Sequence, residues 1–444
     1  MGVLVWAPLP FASNRIWSGA LLAFLVFLLL CGWLLLYLAK RVSIDSAVWK
    51  YSWLPLTALL VVQAWTFLQL QYLPRGWLEF LSPSAYSWHV KEGWLSLSLD
   101  REYGKYFLLR GLAYSAGFFL ALALINSHER VKLLLQVLVF SGTSQAIYAS
   151  FMVLSGLEMG FFVEKYAGLG LATGTFVNRN HLAGYLVMCL SAGIGLFMSQ
   201  LARDSAHSWR ERLRRWLGLL LSSKIRLRVY LAVMVVALVL TRSRTGNLAF
   251  FISLALASGL AIYAGRRISV RLIGFIASLF VVDILILGKW FGFGKLLARI
   301  EQTNLASESR LWSNEYSLDY LADYTWAGSG GGSFYGIFPQ YQGSDLVGFH
   351  QYAHNDYLQF AIELGLPATG LLLAVIILAM VASYRLLQRR TPLYAGVGFA
   401  GVMTLTWAAI HSASDFNLQI PANALTFVVL IALVFVCRGL PTKY

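Results

Sequence analysis

The stretch His354-Asn355-Asp356-Tyr357-Leu358-Gln359-Phe360 runs directly into AIELGLPATGLLLAVIILAM (residues 361–380) and joins a polar handle to a membrane-length apolar run. A helix needs about 20 consecutive apolar residues to cross a bilayer core, and residues 357–383 supply them. The handle places an imidazole and an amide at the mouth of that span. An imidazole at a water–membrane boundary can take a proton from a hydroxyl near neutral pH.

Working outward, the same apolar pattern recurs along the chain. Spans are expected near 16–38, 53–72, 105–125, 133–156, 181–201, 228–241, 247–264, 273–292, 357–383, 394–411 and 422–437. Residues 1–12 could add a short or re-entrant twelfth; no positive segment precedes their apolar run, so they do not read as a cleavable signal. Composition agrees: 58% of the 444 residues are hydrophobic and 12% charged, with a mean hydropathy of +0.66, whereas soluble domains carry roughly 25% charged residues. The expectation is an all-α polytopic integral membrane protein of about 11–12 transmembrane helices, a single domain over residues 1–444. A large outer loop, 293–356, separates the spans near 273–292 and 357–383. Cys31, Cys189 and Cys437 fall within or beside spans and read as small buried hydrophobes rather than a disulfide or zinc framework.

The net charge of +15 would suit nucleic acid, but its placement argues for topology. With the C-terminus cytoplasmic, inner loops gather most of the Lys and Arg residues, from Lys40 and Arg41 to Arg438 and Lys443, as the positive-inside rule requires. Within them, 203–220 spaces Trp209, Leu213, Trp216, Leu217 and Leu220 along one helical face, with arginines opposite. This pattern predicts an amphipathic helix lying on anionic lipid.

The outer segments are then 73–104, 157–180, 242–246, 293–356 and 412–421. In the long one, Leu311, Tyr316, Leu318 and Leu321 predict a short helix opened by Ser307 or Ser309. Gly328–Ser333 reads as a flexible turn; it lacks the Gly-Lys-Ser/Thr ending of a nucleotide-binding P-loop. Trp326, Tyr335 and Phe338 could pack on sugar rings or anchor the loop at the interface.

Three outer clusters combine arginine with polar donors: GTFVNRNH (174–181), TRSRTG (241–246) and Ser309-Arg310. Charges at or below a membrane surface point to function, and the arginine fork suits bidentate phosphate contact. Arg244, followed by a tight Thr-Gly, reads as a ligand for an anion, whereas Arg242 can also snorkel to headgroups. Arg179, His181 and Arg310 could bind substrate or serve their own loops. Arg110, within a span, is expected to snorkel outward beside Lys105. His350 and His354 would share a helical face, a spacing able to hold zinc, but Gln-Tyr-Ala between them offers no glutamate base. No metal or cofactor is expected. His411 and Asp415 add an outer-face pair in which Asp415 can orient a base, bind hydroxyls or cap a helix.

Taken together, these residues resemble the O-antigen ligase family, whose superfamily also holds O-antigen polymerases and bacterial O-linked oligosaccharyltransferases. The resemblance covers roughly residues 170–425 and rests on a set of features. These are the dozen or so spans, the long loop, His354-Asn355 followed by nine residues and Gly365, and the GTFVNRNHLAGYL, TRSRTG, ESRLW and DFNLQIPAN segments. Ala368 stands where the ligase pattern favours Gly, Thr or Tyr. The resemblance implies a bacterial inner-membrane enzyme with a periplasmic active site. It would move a glycan from undecaprenyl diphosphate to an acceptor hydroxyl, without metal and with inversion. By the same resemblance His354 is the base, Asn355 its partner, and Arg244 and Arg310 hold the diphosphate. Its partners would be the lipid-linked glycan donor, a glycan or lipid-anchored glycan acceptor and membrane lipids, with no nucleic acid. A polymerase differs from this only in its acceptor, and an oligosaccharyltransferase would act on protein. A transporter or flippase would instead place broken helices and charge near the midplane.

Overall fold

The computed structural model describes residues 1–89, 95–201, 223–266, 274, 310–346 and 348–441. Apart from a two-residue antiparallel pairing of Met159–Gly160 with Val163–Glu164, the described residues are all-α. The architecture is carried by α1 (Ile16–Leu38), α2 (Ser46–Gln69), α3 (Arg101–Leu124), α4 (His128–Ser155), α5 (Arg179–Leu201), α6 (Ser223–Leu240), α7 (Arg244–Tyr263), α8 (310–323), α9 (Asp356–Leu364), α10 (Leu366–Leu387), α11 (Pro392–His411) and α12 (Pro421–Gly439). Among the described residues nine helices are long and apolar enough to cross a bilayer, and the protein is a multi-pass membrane protein. A helix, α6, covers the expected 228–241 span, but with Lys224, Arg226 and Arg228 at its start it is not one of those nine. The expected span at 273–292 (apart from Gly274), the amphipathic helix at 203–220 and the caps Ser307 and Ser309 lie outside the described residues.

Polar side chains set the helix starts. Asp45, Asp100, Ser127, Ser243 and Asn355 each accept a backbone N–H of the first turn of α2, α3, α4, α7 and α9, satisfying donors that have no partner within the helix. Residues 1–12 hold only the five-residue helix Gly2–Trp6, followed by a turn with Phe11, Ala12 and Ser13 at positive φ. Far too short to span, this segment is tied down by Thr175 Oγ1 donating to the Pro8 carbonyl.

Burial ranks the helices. Over their spans α5, α11 and α12 are 89% buried, whereas α1 is 22% buried and presents Phe24, Leu28 and Leu35 outward. Such a surface suits hydrocarbon rather than water. Cys31 is exposed on this helix, while Cys189 and Cys437 are buried as expected. At the centre, α5 and α11 meet backbone to backbone: a Cβ at Gly195 would lie 2.3 Å from the Gly396 oxygen. Small residues permit this close approach where packing, not hydrophobicity, joins helices.

Above the bundle a second apolar cluster unites the 73–100 segment with the long loop. It includes Leu78, Leu97, Tyr320, Phe334, Phe338 and Ile362. The expected helix in the loop is α8. Two of the expected sugar-facing rings remain outside, Trp326 at 71% and Tyr335 at 43% exposure, but Phe338 is fully buried and stacked on Phe334, centroids 4.6 Å apart. Phe338 is thus a core residue, because the loop folds on its own apolar side chains.

The stretch expected as one span, 357–383, is two helices. It breaks at Gly365, whose φ of 80° and ψ of 160° belong to a region open essentially to glycine alone. The break frees backbone groups for the Gly-rich run: Ser329 N and Gly330 N donate to the Ile362 and Glu363 carbonyls, and Leu366 N donates to the Thr325 carbonyl. Gln359 Nε2 and Phe334 N both donate to Glu363 Oε1. The run expected to be a flexible turn is accordingly packed. A Cβ at Gly328 would lie 2.4 Å from the Glu363 oxygen, and one at Gly331 2.3 Å from the Phe107 ring. These contacts fix the loop's return to the membrane, and with it His354.

Candidate active site

His354 sits one residue before the cap of α9, at φ 54°, an uncommon conformation for a residue with a side chain. Asn355 holds the helix start: its Oδ1 accepts from Tyr357 N at 3.0 Å and Leu358 N at 3.3 Å. Residues 350–355 are not helical, so His350 and His354 do not share a helical face; His350 packs edge-on to Phe338.

Asp356 fastens this corner to the segment 412–420. Its N–H donates to the Ser412 carbonyl at 2.8 Å, and its Oδ2 accepts from Ser412 Oγ at 3.0 Å and Leu418 N at 3.2 Å. Burial pushes its carboxyl up to about 8 against those bonds, so near neutral pH it acts as an uncharged bolt. Sequence reasoning gave Asp356 no role. Its position next to the motif amide was the only signal, and the Ser412 partner is visible only in the fold.

Phe416 organises the rings. Tyr352 stacks on it at 4.4 Å, while His354 and His181 meet it edge-on at 4.8 and 4.6 Å. Beside them Asp415 is 1% exposed. Its carboxylate accepts from Asn180 Nδ2 and from Phe416 N, and its Oδ1 is 3.5 Å from His181 Nε2, an electrostatic contact more than a hydrogen bond. Burial alone would raise the Asp415 carboxyl, but His181, His411 and the Phe416 N–H overcome it and hold the group well below the usual carboxylate range. His411 Nδ1 accepts from Asn417 Nδ2 at 2.6 Å, and Asn423 Nδ2 donates to Asn417 Oδ1 and to the His181 carbonyl. Arg310, at the described start of α8, donates to the Ser414 carbonyl at 3.3 Å.

The His354 imidazole is lowered to about 4, chiefly by burial. Asp415 opposes the shift; Arg310, His350 and His181 add to it. The ring is therefore neutral near pH 7, with a buried Nδ1 that has no hydrogen-bond partner among the described residues. A neutral imidazole with a free lone pair can accept a proton, and an anion beside it would raise its basicity.

His354, His181, Asp415, His411 and Arg310 thus form one constellation. Arg179 and Arg244 stand at the first positions of α5 and α7. These helix ends are adjacent, since a Cβ at Gly246 would lie 2.8 Å from Ala183 Cβ. Arg242 precedes α7 at φ 52°, and Ser243 caps the helix. The starts of α5, α7 and α9 all lie in this region, and helix starts favour anions.

The search of curated proteins gave no match. Residues 229–373 match the Wzy_C family model, O-antigen ligase, and that segment holds Arg242, Arg244, Arg310, His354 and Asn355, while Arg179, His181 and Asp415 lie outside it. About a third of the chain is thus similar to the O-antigen ligase family model, in the segment that joins the Arg242–Arg244 turn to His354.

Proposed function

We propose that this protein transfers a glycan from undecaprenyl diphosphate to an acceptor hydroxyl on the periplasmic face of the inner membrane, as a ligase. The observation that carries the reading is the His354 imidazole seated edge-on to Phe416, its buried Nδ1 without a partner among the described residues and Asp415 and Arg310 within electrostatic reach. In the reaction His354 takes the hydroxyl proton, the acceptor oxygen bonds to the anomeric carbon, and the bond from that carbon to the phosphate oxygen breaks with inversion. Undecaprenyl diphosphate leaves with the electron pair. A diphosphate is already a good leaving group, so charge neutralisation by Arg310 and Arg244, aided by Arg179 and Arg242, supplies the main electrostatic assistance. His181 and Asp415 hold the acceptor side, with Asn355 fixing the base. The mechanism needs no metal and no cofactor.

The test is glycan transfer by purified protein, given an undecaprenyl-diphosphate-linked glycan and candidate acceptors. His354→Ala is expected to lower turnover by about 10²–10⁴-fold, the usual worth of a general base, while still retaining donor; Arg244→Ala and Arg310→Ala lose donor retention. Undiminished transfer by His354→Ala would remove the base. Transfer only to another lipid-linked glycan would make the enzyme a polymerase, and movement of lipid-linked sugar across vesicles with no transfer would make it a transporter.

A further inference from the structure

Arg110, expected to snorkel outward beside Lys105, turns inward instead, and its Nη1 donates to the Gln419 carbonyl at 3.2 Å. On α4, by contrast, an outward stripe runs from Phe140 through Ser144, Ile147 and Phe151 to Leu154, stepping by four and three residues as one helical face does. Its single hydroxyl, Ser144 Oγ, donates back to the Phe140 carbonyl at 2.9 Å. The stripe does not stop where the helix stops. Leu157, Phe162, Tyr166 and Leu169, in the hairpin beyond Gly156, are 55%, 86%, 83% and 62% exposed.

That hairpin folds back along α4 instead of rising from it. Tyr148 Oη donates to the Met159 carbonyl at 3.1 Å, and Gln145 Oε1 accepts from Thr175 N at 3.2 Å where the chain returns. The depth follows from helix geometry. α4 has 28 residues, about 42 Å of helix against a hydrocarbon core of about 30 Å. Its basic start, Arg130 and Lys132, belongs at the headgroups. About 20 residues counted from Leu133 then reach the far edge of the core near Met152. Tyr148 and Gln145 lie roughly 6 and 10 Å short of that edge, so they hold the hairpin at the boundary and not above it.

Its internal bonding suits such a place. Lys165 Nζ pairs with Glu158, and the two side chains are shielded, at 9% and 16% exposure respectively. The same carboxylate accepts from Gly170 N at 2.7 Å, and Lys165 also donates to the Leu171 carbonyl at 3.0 Å. Charges taken out of water are kept in pairs. Phe161 and Phe162 stand at φ 38° and 64°, uncommon for bulky side chains. The turn sets Phe161 edge-on to Phe11, centroids 5.5 Å apart, and leaves Phe162 outward. Glu164, the remaining charge between Leu157 and Gly170, is exposed, which suits the headgroup boundary and not the core.

We propose that the hairpin 157–170 is a bilayer-embedded finger: Phe162, Tyr166 and Leu169 sit among the glycerol groups and upper acyl chains of phospholipid, on the side of the membrane that holds His354. Aromatic rings favour that layer, and the α4 stripe leads directly into it. An apolar surface of this kind is not left to water. Lipid contact here uses none of the His354 constellation, so it is measured without any glycan.

The test reads the depth of two positions in the full-length protein. Phe162→Cys and, separately, Tyr166→Cys are combined with Cys31→Ala, which removes the exposed native thiol. Each is labelled with the fluorophore NBD and placed in phosphatidylcholine nanodiscs. The discs carry lipid spin-labelled at the headgroup, on the upper acyl chain or at the chain end. At both positions quenching should be strongest from the upper-chain label. Quenching by aqueous iodide should be lost relative to Tyr335→Cys, labelled in the same way on the outer loop. Because Tyr166→Cys keeps Phe162, a collapsed turn in one variant leaves the other to decide. Iodide quenching at both positions equal to that of Tyr335→Cys would place the hairpin in water and overturn the finger. Quenching by neither iodide nor any lipid label would reveal a protein cover, a second copy or a partner, and overturn the lipid assignment. A maximum from the headgroup or the chain-end label would overturn the depth.

Discussion

If His354 is the base, the pH profile of transfer carries the mark of its burial. An ordinary imidazole near 6.5 is only about 10% deprotonated at pH 5.5, so kcat/KM would fall about tenfold between pH 7.5 and 5.5. With the imidazole lowered to about 4, about 97% remains deprotonated at pH 5.5, and kcat/KM should be nearly flat over that range. The profile of kcat/KM reports the free enzyme, whereas kcat reports the bound complex. The donor's diphosphate brings negative charge toward the ring and favours the imidazolium, so the acid limb of kcat should lie at higher pH than that of kcat/KM. Two substitutions fix the sign. Arg310→Gln removes a cation that disfavours the imidazolium and should move the kcat/KM limb upward. Asp415→Asn removes the carboxylate that favours it and should move the limb further down. The assay is initial transfer rate from pH 4.5 to 8. A wild-type kcat/KM limb between pH 6 and 7, unmoved by Arg310→Gln, would refute the reasoning.

Two further outcomes follow from the packing. Gly365→Ala forces a side chain into glycine-only backbone space and against the Trp326 carbonyl at 2.2 Å; strain and overpacking together should cost about 2–6 kcal/mol, seen as a lower thermal midpoint in detergent and checked by whether the variant purifies with the wild-type midpoint. Phe338→Ala should destabilise by about 3–5 kcal/mol as a buried aromatic truncation, while Trp326→Ala should leave the midpoint within about 0.5 kcal/mol and act, if at all, on the KM for glycan; a midpoint loss in Trp326→Ala comparable to that in Phe338→Ala would contradict the burial pattern.

Much of the fold was legible because membrane spans announce themselves through local composition. α2 through α7 and α10 through α12 fall where apolar runs fall, and polar caps stand just before α2, α3, α4 and α7. Interruptions were harder to read. The run from Tyr357 to Ser383 does carry Glu363, Gly365 and Pro367, a stop-and-restart signal that its apolar length masked, and the carbonyl of Trp326 that also demands the glycine lies on another segment. Phe338 misled in the same way, since an aromatic in an outer loop looks the same whether it meets sugar, lipid or Phe334. At the site, His354, Asn355, Arg244 and Arg310 stood out by residue type and position, and His181 and Asp415 were named as separate candidates. Their meeting around Phe416 could not be read, because it depends on how α5, α9 and the link from α11 to α12 converge. Asp356 was overlooked for the same reason: its partners Ser412 and Leu418 are more than fifty residues away.

The dependence of the His354 corner on residues 412–420 has a consequence for biogenesis. The segment matched to the O-antigen ligase model ends at residue 373, before Ser412, Asp415 and Phe416 have been synthesised. A nascent chain that has inserted everything through α10 holds His354 but lacks Phe416 to seat its ring and the Ser414 carbonyl that Arg310 donates to. Only when α11 and α12 enter the bilayer and bring their connecting link back to Asp356 does the corner close. Completion of the candidate site is thereby tied to the insertion of α11 and α12, after the segments that carry Arg310 and His354 are already in place.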